Sequence, residues 1–382
     1  MAGLLTLNAG SSSIKFGVYL AAPEPELLLL GQVENLGPVA QLVFSHPEKK
    51  TVEIGPSDHV TAVQAILEAI QPALKDHVVT GVGHRIVHGG KTFTGPVELT
   101  DHVMGQLETL VPLAPLHQPH NLAAVRAAQA AFPDAIQIGC FDTSFHQGHP
   151  FVNDAFAIPR RFYEKGVRRY GFHGLSYDYV TDTLTREHPI LARGRVVIAH
   201  LGNGASMCAV KKGKSIGSTM GFSALDGLPM GTRCGQLDPG VMLYLMEQGH
   251  TVEAITHILY KKSGLLGLSE ISHDMRTLLA SDDPRAAEAI DYYVFRIKRE
   301  LGAMVAIMGG LNAVVFCGGI GENSPDIRAR VLDGLEFMGL SLDAVANAAN
   351  EQVISDGDVP VLVIPTDEER VIARALAARV VP

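Results

Sequence analysis

Cysteine is scarce in this 382-residue chain. Cys140, Cys208, Cys234 and Cys317 are widely scattered and form no CxxC pair, which argues against zinc and against a disulfide framework. A reducing, cytoplasmic setting is therefore expected. Long apolar runs are missing too: stretches such as Leu27–Leu30 fall far short of the roughly 20 residues that span a bilayer, so no membrane partner is expected. The opening MAGLLTLNAG lacks a basic segment and runs straight into an apolar strand, so no signal peptide is expected. Basic residues are outnumbered, with 31 Lys and Arg against 40 Asp and Glu and a net charge of −9. That balance offers no broad surface for nucleic acid, and an anionic substrate must be held by local positive groups.

What is present is an α/β alternation without linkers or low-complexity tracts, in a chain long enough for two domains. Residues 78–82, 136–141, 196–200, 313–317 and 361–364 read as strands. Residues 60–74, 238–249 and 283–309 read as helices, the last two opening on Asp-Pro and stopping at glycine. The natural cut lies near 142–150, and the terminal helix, 367–380, is available to return to the first domain.

Two segments carry most of the information: LLTLNAGSSSIKF (4–16) and VVIAHLGNGASMCAV (196–210). Each is an apolar run, a loop of Asn, Gly and Ser, and a second apolar run. Small residues let backbone N–H groups converge on an anion. The first loop adds Asn8, the hydroxyls Ser11, Ser12 and Ser13, and Lys15; the second adds His200, Asn203 and Ser206. Two such loops half a chain apart suggest a duplicated fold that holds nucleotide phosphates. FCGGIGENS (316–324) reads as a buried strand, a glycine loop for a nucleotide, and a helix starting after Ser324-Pro325.

Other patterns fail on inspection. Gly89-Gly90-Lys91-Thr92 lacks the earlier glycine of a P-loop, since that position is Arg85. Gly213-Lys214-Ser215-Ile216-Gly217 matches G-x-S-x-G, but lysines precede it and no helix follows, so a solvated hairpin turn is expected. The pairs His84/His88, His117/His120 and His146/His149 lack the carboxylates of a zinc site. Arg85 and Arg233 sit in apolar or Gly-rich context, where a guanidinium forks to structural carboxylates or to substrate anions. Asp142 and Glu368 are candidates for metal or proton work, or for capping.

With these residues assembled, the chain resembles the acetate kinase family of the actin-like and sugar-kinase ATPase superfamily. The matching stretches, in family order, are NAGSSSIKF, GHRIVHGG, APLHQPHN, FDTSFH, YGFHGLS, HLGNGAS, MGTRCGQLDPG, DMR, GGIGEN and IPTDEE, spanning residues 8–369. The resemblance implies two domains with duplicated actin-like, ribonuclease H-like cores, residues 1–145 with 369–382 and residues 146–368, and an active cleft between them. It implies reversible transfer of the ATP γ-phosphoryl group to acetate, with Mg²⁺, or Mn²⁺ in its place, as the metal, and a homodimer.

It also implies roles. Asn8 and Glu368 are the metal pair, and Ser11, Ser13 and Lys15 are ATP contacts. Arg85 is the acetate-side arginine, Asp142 the essential carboxylate, and His173 and Arg233 steady the transferred phosphoryl group. His200, Leu201, Gly202, Asn203 and Gly204 form the phosphate loop. Asp274, Met275, Arg276, Gly319, Ile320, Gly321, Glu322 and Asn323 face adenosine. Val87, Leu116 and Phe172 surround the acetate methyl, with Ala224 where the family usually has proline; that exchange leaves room for propionate. The competing readings are a serine esterase built on Ser215 and a non-catalytic actin-like nucleotide-binding protein.

Overall fold

The apolar runs flanking each glycine-rich loop pair with each other. In the first, β1 (Ala2–Ala9) lies antiparallel to β2 (Ile14–Leu20), with Asn8 opposite Lys15. In the second, β9 (Arg195–Leu201) lies antiparallel to β10 (Ala205–Lys211). The structure is a computed structural model that describes residues 2–10, 13–74 and 77–381. The chain divides into two units, Met1–Phe145 with Asp367–Pro382 and His146–Thr366.

The first unit adds β3 (Glu26–Glu34), β4 (Gly37–His46), β5 (Lys50–Ser57), β6 (Val78–Ile86), β7 (Val97–Glu98) and β8 (Ile136–Phe141). Its sheet runs β5-β4-β3-β2-β1-β6-β8-β7, with β1, β6 and β8 mutually parallel. The second unit adds β11 (Lys214–Ser218), β12 (Ala313–Cys317) and β13 (Val361–Val363), in the order β11-β10-β9-β12-β13. Strands β3-β2-β1-β6-β8 and β11-β10-β9-β12-β13 share one pattern: two antiparallel steps, then two parallel ones. The expected duplicated α/β core is present.

Helix periodicity decides which faces are covered. Helix His59–Leu74 buries Ala62, Val63, Ile66, Ile70 and Leu74. With helix Gln118–Ala131 it closes a core that includes Leu5, Leu7, Phe16 and Val82. Strand alternation sends Gly81 and Gly83 to the opposite face of β6. There helix Glu368–Val380 packs so closely that a Cβ on Gly83 would collide with Ile372. That approach brings the helix start, and Glu368, to the sheet. In the second unit, helix Pro284–Met308 is capped by the Asp283 side chain, ends at left-handed Gly309 and backs β10 and β9.

Two local expectations change. GGIGEN is not an open loop but a short helix, Gly318–Asn323, followed directly by helix Pro325–Leu332. Ser215 is not in a solvated turn; the turn is Lys212-Gly213, and Ser215 lies on β11 with only 7% exposure. Alternation along the hairpin carries its side chain inward.

Candidate functional site

In the first unit, three side chains gather where neighbouring parallel strands end. Asn8 comes from β1, Arg85 from β6, and Asp142 follows β8 immediately. Open α/β sheets present ligands at these carboxyl ends. The Arg85 guanidinium forks onto Asp142, with Nε 3.0 Å from Oδ1 and Nη2 2.5 Å from Oδ2. Its Nη1 donates to Asn8 Oδ1 at 3.2 Å, and Asn8 Nδ2 donates to Glu368 Oε2 at 3.0 Å and Glu369 Oε1 at 3.3 Å. Burial opposes the Arg85 charge, but Asp142 and Glu368 hold its pKa above the ordinary arginine value. Burial pushes the Asp142 and Glu369 carboxyls up; Arg85 pulls against it at Asp142, as Lys15 does at Glu369. The five N–H donors of a guanidinium exceed those used on Asp142 and Asn8, so Arg85 retains capacity for a second anion.

No group of three or more His, Cys, Asp or Glu side chains among the described residues is arranged to hold a metal. As placed, Asn8 Oδ1 accepts from Arg85, and its Nδ2 rather than its oxygen faces the Glu368 carboxylate. A half-turn of the amide, which exchanges Oδ1 and Nδ2, would set an oxygen beside that carboxylate, and an all-oxygen pair suits magnesium, which keeps several of its waters. With the amide so turned, the residues present fit that ion.

Lys15 is exposed on β2 opposite Asn8, and Gly10 N–H donates to Ser13 O at 2.8 Å. Ser11 lies outside the described residues. Val87 is buried and Leu116 half-buried. His84 and His88 are structural: His84 Nε2 meets Gln137 Oε1 at 2.8 Å, and His88 Nδ1 accepts Gly90 N–H at 2.9 Å.

In the second unit, the loop after β9 receives two basic groups. An added Cβ at Gly204 would sit 3.1 Å from His173 Nε2 and 3.4 Å from Arg233 Nη2, so both side chains converge on that glycine. His173 stacks on His200 with ring centroids 4.3 Å apart. The segment carrying Arg233 is fastened to the same loop, Gly231 N–H donating to Asn203 O at 3.1 Å. Gly319 and Gly202 also adjoin, with Gly319 N 3.7 Å from a Cβ built on Gly202.

Beside the loop lies a cavity of about 950 Å³, lined by Gly202, Asn203, Asp274, Met275, Arg276, Gly319, Ile320 and Asn323 among others. Asp274 caps helix Met275–Leu279, and hydrogen bonding to Arg276 holds its carboxyl at about 2. Room for a nucleoside and a glycine-lined end near His173 and Arg233 therefore occur together.

Some expected contacts are placed differently. Leu201 is fully buried at the end of β9, so its side chain faces the core. Gly321 is buried, and Glu322 turns inward, where Oε1 accepts Gly318 N–H at 2.8 Å and Thr366 N–H at 3.0 Å. Glu322 is a staple within this unit, not part of the cavity lining. Ala224 lies in a turn where its carbonyl accepts from Arg233 Nη1 at 2.8 Å, so its backbone helps aim that arginine. Phe172 is buried just before His173.

Other contributors carried no chemical signature in sequence. Asn121, inside the APLHQPHN motif, joins Ala9 O at 2.6 Å to Val87 N at 2.9 Å and so ties the first loop to the Arg85 strand. Ser206 and Tyr177 form a buried pair at His173 Nδ1, with Ser206 Oγ 2.8 Å away. Ser206 is visible in the sequence as a loop hydroxyl; Tyr177 carries no signal there.

Residues 3–374 match the acetokinase family. The chain is 52% identical to an acetate kinase of Methylocella silvestris over 97% of this chain and 96% of that protein. It is 50% identical to one of Rhodopseudomonas palustris, with the same two coverages. Among solved structures it resembles Porphyromonas gingivalis acetate kinase, with TM-score 0.87, 38% identity and coverages of 99% and 98%. It also resembles a propionate kinase from Francisella tularensis, with TM-score 0.91, 34% identity and coverages of 98% and 99%.

Proposed function

The chain belongs to the acetokinase family, and from that premise we propose that it transfers the γ-phosphoryl group of ATP reversibly to acetate, giving acetyl phosphate and ADP. It is an enzyme, a phosphotransferase with a carboxyl group as acceptor. The convergence of His173 and Arg233 on Gly204, beside a nucleoside-sized cavity, carries this reading.

An acetate carboxylate is ionised at pH 7 and needs no strong general base. The obstacle is repulsion between two anions, which fixed positive groups offset without reorganising during reaction. Arg85 takes the acceptor carboxylate through the donors not used on Asp142 and Asn8. Asp142, already forked to Arg85, orients that guanidinium rather than removing a proton. His173 and Arg233 hold the transferred phosphoryl group, and the backbone of 202–204 cradles its neighbours. Asn8 and Glu368 would hold a magnesium ion, whose charge offsets that of the nucleotide phosphates.

Propionate is the second acceptor to consider, because Ala224 lacks ring carbons that proline would add and a propionate kinase shares the fold at TM-score 0.91. A homodimer accounts for helix Pro239–Glu247, which exposes Val241, Met242, Leu243, Tyr244 and Met246 and buries none of its residues; light scattering on the purified protein reads the mass. No helix among the described residues is long and apolar enough to cross a membrane, and four free thiols suit the cytoplasm.

The test is trapping of acyl phosphate with hydroxylamine. Hydroxamate that depends on ATP, Mg²⁺ and acetate supports the reading. Hydroxamate no higher than an ATP-free control sinks it, and ATP binding without product would leave an actin-like binding protein. Labelling of Ser215 by a fluorophosphonate would instead favour an esterase, against its burial on β11.

A further inference from the structure

Buried His146 and Ser215 form, with half-buried His149, a hydrogen-bonded chain that the transfer reaction does not use directly. His146 is 3% exposed, and its Nε2 lies 2.9 Å from Phe172 O. A carbonyl only accepts, so Nε2 carries the proton. Nδ1 of the neutral ring is then an acceptor, and Ser215 Oγ, 2.9 Å away, donates to it. With its one proton spent, Ser215 accepts from His149 Nε2 at 2.7 Å. Cys208 Sγ, 3.2 Å from Ser215 Oγ, is a third neighbour of that hydroxyl and can donate to it, which leaves both ring tautomers as the Phe172 carbonyl sets them. Burial, with His149 nearby, pushes His146 down to about 3, so the chain is uncharged at neutral pH.

The far end of this chain meets an unusual piece of backbone. Gly171 and His173 both have positive φ, +73° and +57°, on either side of Phe172. A left-handed conformation is ordinary for glycine and strained for histidine. The His146 ring touches this segment twice. It packs against Gly171, where an added Cβ would be 2.5 Å from ring carbons, and it anchors the Phe172 carbonyl. That carbonyl belongs to the peptide plane preceding His173, so fixing it fixes the angle about which His173 swings.

We propose that His146, oriented by Ser215 and His149, is a positioning residue that holds His173 in its left-handed conformation and so aims Nε2 at Gly204. The inference rests on the reading of His173 as a partner of the transferred phosphoryl group. Ser206 fixes the ring from one side, and His146 fixes its backbone from the other.

The test is a double-mutant cycle in the full-length enzyme, with circular dichroism and Tm recorded for each variant. His146→Leu keeps bulk but removes the donor; kcat should fall about 10²-fold, the scale of a misplaced reacting group. KM for acetate and ATP should stay within about threefold, because alignment is lost rather than binding. His146→Gln, which retains an N–H for the Phe172 carbonyl, should recover most of the loss. Ser215→Ala, a smaller change that frees His146 Nδ1, should lower kcat in the same direction and serves if His146→Leu does not fold. In the His173→Ala background, either change should cost less than about threefold, since the residue acted upon is gone. Wild-type kcat in both His146→Leu and Ser215→Ala, or losses that add fully to His173→Ala, would overturn the positioning role. If His173→Ala itself leaves kcat unchanged, the reading of His173 falls and this inference with it.

Discussion

Gly204→Ala asks whether the loop after β9 is a phosphate cradle or only a tight turn. The added methyl would lie 3.1 Å from His173 Nε2 and 3.4 Å from Arg233 Nη2. Carbon and nitrogen normally keep about 3.5 Å or more, so each group must retreat by a few tenths of an ångström. Both are ends of side chains, and Gly204 has no left-handed φ that alanine would strain. The folded state should therefore tolerate the change within about 1 kcal/mol, the ordinary cost of a mild surface overpacking. Catalysis should not, because the methyl occupies the space on which the His173 and Arg233 side chains converge. Loss of one aligned donor costs roughly 10²–10³ in turnover, and partial displacement of two should cost about 10²-fold in kcat. The assay is hydroxamate formation at saturating ATP and acetate, beside a thermal melt. A Gly204→Ala protein with native Tm and native kcat would refute the cradle. A collapsed Tm would show instead that glycine is needed there for folding.

Arg233→Ala should lower kcat by roughly 10³-fold with little change in Tm, and lysine should rescue poorly because it lacks the fork; near-native kcat would remove Arg233 from the transfer. Arg85→Ala should lose activity and stability together, since it leaves Asp142 buried without its partner, an uncompensated charge costing about 3–5 kcal/mol; a melt unchanged from wild type would refute the buried pair. Burial lowers His84 and His88 to about 4 and His146 to about 3, so below pH 6.5 the unfolded chain takes up protons that the folded chain refuses. Stability should be full above that pH and fall by roughly 4 kcal/mol, about 1.4 per histidine, at pH 5.5; urea titrations at pH 7.5 and 5.5 giving equal stability would show these rings are not neutral in the fold. Ala224→Pro should depress propionate kcat/KM about fourfold more than acetate, one methylene being worth about 0.8 kcal/mol; equal changes would mean the position does not size the pocket.

Legibility in the sequence follows the range of the interaction involved. The helices at 60–74, 238–249 and 283–309 could be read because capping and apolar periodicity are local: Asp238 and Asp283 do cap through their side chains, and Gly309 does end its helix in the left-handed region. The duplicated core was readable because each glycine loop sits between two runs that pair with each other, so a short stretch declares a hairpin. The misplaced elements are those where two local signals compete. GGIGEN reads as a loop by glycine content, yet Glu322 supplies an inward hydrogen bond to Gly318 N–H that closes a helical turn. Ser215 reads as solvated because lysines precede it, yet the turn is one step earlier than the motif suggests. Leu201 enters the phosphate loop through the family resemblance, while its side chain is fully buried at the end of β9.

What the sequence withholds is the identity of partners that come from afar. Asn121 lies 112 positions from Ala9 and 34 from Val87, and it holds both. Glu368 reaches Asn8 across 360 positions because Gly83 lets the last helix lie close to the sheet; the family resemblance paired these two residues, whereas spacing alone does not. Asn121 is, in the sequence, an unremarkable amide. The physical reason is that orientation needs only a donor or acceptor at one point, and many residue types provide one. Charge stabilisation of a moving phosphoryl group needs a cation that stays ionised, which few residue types provide. A motif therefore advertises Arg85 and Arg233, whereas the roles of Ser206, Tyr177 and His146, which fix where the neighbouring His173 points, emerge only once distances are known. If that division is right, substitutions at the second set should change kcat while leaving substrate affinities nearly alone, because they alter the aim of a charge without removing it.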